Sequence, residues 1–152
     1  MSLRQHLTAQ VERLDQLNAL LEQEQKLLGD GKIDGEQLKQ LAEQKQSLQQ
    51  AIESNESKRR AAQQKLGFSN DSAGAREAAE QADCADVWQR LLERTQRIAQ
   101  LNSLNGELIQ HRLHHNQQML NILRDAAGTG GAAIYGADGS QETTPQRLNS
   151  KA

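Results

Sequence analysis

Leucine returns every seven residues at the start of the chain, at Leu7, Leu14, Leu21 and Leu28. Leu3 and Leu17 supply a second seam position, and Val11, Leu20 and Leu27 widen the stripe. Recurrence at this period marks a helix lying beside other helices at a shallow angle. Gln10 and Glu24 break the stripe with polar side chains. Ser2 followed by Gln5 is a capping box that starts the helix. Gly29, Asp30, Gly31 and Lys32 end it, with Gly29 suited to a left-handed cap.

A second pattern opens at Asp34, with Gln37 as its capping-box partner. Leu38, Leu41, Lys45, Leu48, Ile52, Asn55, Arg59, Ala62 and Leu66 follow at spacings that alternate between three and four. The seam is apolar to Ile52 and polar beyond it. Lys45 fits such a seam by burying its stem and extending its ammonium to solvent. Leu14, Leu21, Leu41 and Leu48 are the expected core of the hairpin that these two helices make. Gly67 closes the second helix, and Ser69 to Ser72 is loop chemistry. Ala73 to Ala82 predicts a short helix with few large apolar residues to hold it.

The longest pattern runs from about Asp83 to Ala127. Its stripe takes Val87, Leu91, Ile98, Leu101, Leu104, Leu108, Ile109, Leu113, Leu120 and Leu123, with Asn102, Asn105 and Gly106 as a polar break. At the helical rise it spans roughly 60 Å, longer than either of the first two helices. The break reads equally as a register-fixing polar layer or as a surface kept soluble without its partner. Gly106 is a candidate bend or close helix contact.

The pattern therefore predicts an all-α fold. It is an antiparallel bundle of three long helices over about 2–28, 34–66 and 83–127, with a short connecting helix. The bundle fills residues 1–127. From Gly128 the chain turns to Gly, Ser, Thr and Ala, and 128–152 is expected to be a mobile tail. Composition agrees: the only proline is Pro145, and Phe68, Trp88 and Tyr135 are the only aromatic residues, so a thick core is not expected.

Charge narrows the partners. The net charge is −2, with both signs interleaved along the chain. That disfavours a nucleic-acid surface and an electrostatic membrane anchor. The N-terminal residues lack the apolar core of a signal peptide, and no apolar run is long enough to span a bilayer. The single Cys84 has no internal partner. A cytoplasmic protein is the expectation.

Candidate chemistry is sparse. His111, His114 and His115 share one helix face, but zinc needs ligands converging from several elements, so histidines facing solvent or a partner are preferred. Cys84 lies beside Asp83 and Asp86, which disfavour a thiolate. Phosphate-loop, dinucleotide, nucleophile-elbow and metalloprotease motifs are absent, and a bundle metal site would need Glu-x-x-His pairs that the chain lacks. The expectation is a protein without catalytic activity, metal or cofactor.

The ordered set of motifs resembles the FlgN family of flagellar export chaperones. Its residues are the run Leu20 to Leu28, then Leu38, Leu41, Lys45 and Leu48, then Asn102, Asn105, Gly106, Leu108 and Ile109, and finally Tyr135, Gly136 and Gly139. The resemblance implies a cytosolic chaperone that binds the C-terminal helical segment of hook–filament junction proteins and delivers them to the flagellar type III export gate. It places substrate binding on the latter part of helix three and gate docking on Tyr135. The His114–His115 pair departs from the expected apolar face. The residues expected to contact substrate are Ile98, Leu101, Leu108, Ile109, Leu113, Met119, Leu120 and Leu123, since this stretch carries more apolar side chains than a solvated helix needs. No nucleic acid, no membrane insertion and at most weak self-association are expected. The competing reading is a structural or regulatory coiled-coil protein acting as a homo-oligomer.

Overall fold

The computed structural model describes residues 1–129. Four helices follow one another: α1 (Leu3–Gly29), α2 (Gly35–Lys65), α3 (Ser72–Gln81) and α4 (Ala85–Thr129). The chain divides into two compact units, Met1–Gly106 and a second that begins at Glu107, and α4 contributes to both.

Within the first unit α1, α2 and α4 run up, down and up. His6 lies against Asn55 and Glu24 against Lys45, so α1 and α2 are antiparallel. Arg4 lies near Asp86, Asp15 near Arg94 and Leu21 near Asn105, so α1 and α4 are parallel. The short α3 makes the turn between α2 and α4.

Local chemistry accounts for the ends. Ser2 and Gln5 form the full reciprocal capping box of α1. Asp34 accepts from the Gln37 N–H at 3.1 Å and caps α2, and Asp71 does the same for α3 through Gly74 at 2.7 Å. The expected left-handed cap at Gly29 does not form. Gly29 is the last residue of α1, and Asp30 caps it in an extended conformation with its N–H to Leu27 O. Positive φ falls instead on Gly67 (88°) and Asp83 (55°). Gly67 closes a Schellman motif, with the Phe68 N–H on Gln63 O and the Gly67 N–H on Gln64 O. Asp83 closes a second one, with the Cys84 N–H on Ala79 O and the Asp83 N–H on Glu80 O.

The core follows the leucine seam. Leu3, Leu7, Val11, Leu14, Leu17 and Leu21 of α1 meet Val87, Leu91, Ile98 and Leu101 of α4, while Leu48 and Ile52 of α2 are partly buried against them. Leu41 and Leu28 are also buried. Each leucine removed from water contributes roughly 1.5–3 kcal/mol. The short α3 is held by small residues rather than large ones: Ala75, Ala78 and Ala79 are buried, which lets the backbone approach closely.

Polar residues complete the seam rather than break it. Gln10 is buried and accepts from Asn55 Nδ2 at 2.5 Å while donating to Glu56 at 3.1 Å. Asn55 also donates to the His6 carbonyl oxygen. Arg59 is buried, donates to Glu56 and Gln63, and lies 5.3 Å from the Trp88 ring centroid. Glu24 is buried, and the Lys45 ammonium, expected in solvent, turns inward to it at 2.9 Å. The polar half of the α2 seam is thus buried on hydrogen-bonded side chains, as buried polar groups require.

Candidate functional site

The residues singled out on α4 fall into two groups. Ile98 and Leu101 are buried in the core of the first unit, so their apolar surface is already covered by this chain. Leu108 is half-buried, whereas Ile109, Leu113, Met119, Leu120 and Leu123 are exposed. Leu113 keeps 57% of its surface and Leu123 keeps 60%. Ile122, at 61%, belongs with them. Large aliphatic side chains this open, concentrated on one stretch of helix, form the kind of patch that marks an interaction surface.

Spacing explains the grouping. Ile98, Leu101, Asn105, Ile109, Leu113, Asn116, Leu120 and Leu123 follow one another at steps of three or four. In a helix such residues share one side. Of these, Ile98, Leu101 and Asn105 are buried within the first unit, while Ile109, Leu113, Leu120 and Leu123 in the second are exposed. Periodicity located the seam, but it carries no information on where the cover stops. Asn116, at the same spacing, is exposed.

The polar break resolves residue by residue. Asn105 is buried and donates to Leu21 O at 2.9 Å and Glu24 Oε1 at 2.8 Å, so it belongs to the bundle. Asn102 is exposed. A Cβ added at Gly106 would meet nothing within 4 Å, so no close helix contact demands glycine there.

Other chemistry does not converge. His111, His114 and His115 are exposed, and among the described residues no group of three or more His, Cys, Asp or Glu is placed to hold a metal ion. Cys84 is fully buried; burial pushes its thiol pKa up, Asp86 and Asp83 add to the effect, and Arg4 opposes it. It lacks the thiolate character of a nucleophile. A cleft of 220 Å³ is lined by Glu56, Arg59, Gln63, Asp71 and Trp88 among others. It falls below the usual range of small-molecule sites, about 300–1,000 Å³, and Arg59 is engaged by Glu56 and Gln63. No helix among the described residues is long and apolar enough to cross a membrane. Tyr135 and the tail from residue 130 lie outside the described residues.

Several large aliphatic side chains of α4 are thus exposed, and no catalytic or metal-binding cluster forms among the described residues. The family model for FlgN protein matches residues 1–143. This chain belongs to the FlgN family. Among its relatives, the flagella synthesis protein FlgN of Salmonella typhimurium is 33% identical over 126 residues, covering 83% of this chain and 80% of the relative. That of Escherichia coli is 32% identical over 145 residues, covering 91% and 94%. That of Proteus mirabilis is 30% identical over 140 residues, covering 92% and 90%. No solved structure matches the chain. Membership of the FlgN family makes this a helical-bundle protein of the flagellar chaperone class.

Proposed function

We propose that this protein is a cytosolic, non-enzymatic export chaperone. It binds the C-terminal helical segment of hook–filament junction proteins and delivers them to the flagellar type III export gate. The observation that carries the reading is the exposure of Leu113, Met119, Leu120, Ile122 and Leu123 on one stretch of α4. A helix-in-groove partner reads such residues as its anchors. Ile109, exposed, and Leu108, half-buried, lie on the same stretch of α4. Ile98 and Leu101 support it from the core rather than touching substrate. Tyr135 is the proposed gate-docking residue.

The test is to change Leu113 and Leu120 together to Ser and measure helicity, mass in solution and binding of a junction-protein C-terminal segment. Retained helicity with lost binding is expected. Undiminished binding moves the site elsewhere. A stable homo-oligomer that the double change dissolves, with no junction-protein binding by the unaltered chain, favours the coiled-coil scaffold. Deleting residues 128–152 should spare the junction-protein complex and impair delivery to the gate.

A further inference from the structure

Gly106 weakens α4, and nothing around it asks for glycine. It lies inside the helix, where glycine is about fivefold less favourable than alanine. A Cβ there would meet nothing within 4 Å. Among the described residues positive φ occurs at Gly67 and Asp83, so no left-handed turn requires it either. The residue before it is the opposite case. Asn105 is buried, and its amide donates to Leu21 O and Glu24 Oε1. A firmly held position and a weak one stand side by side.

The stretches of α4 before and after this pair differ in what supports them. Val87, Leu91, Ile98, Leu101 and Asn105 are buried. From Glu107 to Ala127 no side chain is buried. Polar contacts in that stretch include short-range ones: Gln117 and Arg124 both donate to Asn121 Oδ1, within a turn of themselves. Its sequence also holds middling helix formers, among them His111, His114, His115 and Asn116. Helices in proteins draw most of their stability from a packed face, and this stretch has little of one.

We infer that Gly106 is a built-in breaking point. The part of α4 beyond it opens and closes separately while the bundle stays folded, and the bonds of Asn105 stop the opening from running into the core. The inference stands whether or not the exposed leucines meet a partner. It has a consequence for any partner that takes the stretch as a helix. Such a partner binds only the closed fraction, so the glycine lowers its apparent affinity.

The experiment is residue-resolved amide hydrogen exchange on the full chain, with urea unfolding followed at Trp88. In an α-helix each N–H bonds the carbonyl four residues before it, so His111 is the first whose partner, Glu107, lies beyond the glycine. Protection is expected to be high through Asn105 and to have dropped by His111. Gly106→Ala should slow exchange from His111 to Leu113 about fivefold. It should leave the urea midpoint at Trp88 unchanged, because the stretch is already open where the bundle melts. Asn105→Ala should instead carry the drop back toward Leu101. Equal protection on both sides of Gly106, or a steady decline without a drop, overturns the inference. So does a Gly106→Ala chain whose exchange is unaltered, or whose Trp88 midpoint rises together with its protection.

Discussion

The Asn105 amide donates to Glu24 Oε1 at 2.8 Å across the seam between α4 and α1. The other oxygen of that carboxylate accepts from Lys45 of α2 at 2.9 Å, so one buried side chain ties together all three long helices. Asn105→Ala leaves Glu24 half-satisfied and is expected to cost about 1–3 kcal/mol. Lys45→Ala removes one member of an ion pair whose side chains keep 21% and 10% exposure. Its cost should fall below the about 3–5 kcal/mol of a fully buried pair. Urea unfolding of both single variants and the double variant checks this. Strict additivity of the two losses would show that they do not act through Glu24.

Gly74 invites the opposite of the usual expectation for a helical glycine. Helix propensity favours alanine by about 1 kcal/mol. Yet a Cβ at Gly74 would lie 2.6 Å from Ser69 Oγ and closer still to the Ser69 carbonyl oxygen. That carbonyl is held by Gln63 Nε2 at 2.5 Å and cannot easily turn away. Overpacking of this kind costs about 1–3 kcal/mol, so Gly74→Ala should lower the melting temperature. An unchanged or raised midpoint would show that the loop from Ser69 to Asp71 yields freely. Gly67→Ala meets open space, but its φ of 88° should still cost about 1–2 kcal/mol.

Acid should destabilise the bundle in two stages. Burial, aided by the N-terminal ammonium and Lys58, lowers the His6 pKa from its ordinary 6.5. The folded state therefore resists the proton that the unfolded chain accepts, and stability declines as pH falls from about 6.5 toward the folded value. Glu56 has its pKa lowered from 4.5, first by its hydrogen bond to Arg59. Its contribution is present above that value and is lost as pH falls through the folded one. Chemical denaturation between pH 8 and 3 should show both declines, and His6→Gln should abolish the upper one alone. An upper decline unaltered by His6→Gln would assign it to another group.

Most of the fold was legible because its signals are local. The Ser2–Gln5 box, the Asp34 cap, the seven-residue leucines and the Gly67 stop each lie within a few residues of what they control. Gln10, Glu24 and Lys45 were misread because hydropathy grades a side chain without its partner. Asn55 lies 45 residues from Gln10, and Asn105 lies 81 from Glu24. The hold on α3 was missed for a related reason: alanine gives little hydrophobic signal, yet Ala78 and Ala79 are almost completely buried. On the candidate site, periodicity placed Ile98 and Leu123 in one stripe. It could not show that only the first is covered, because cover depends on the reach of other helices.

Trp88 is the only tryptophan in the chain, and it sits half-buried under the Arg59 guanidinium at the start of α4. The molecule thus carries its one tryptophan inside its first unit. Its emission reports the junction of α2 and α4, whereas circular dichroism reports every helix at once. Unfolding the chain while recording both signals separates melting of the bundle from fraying of the open segment, without a dye or an added label.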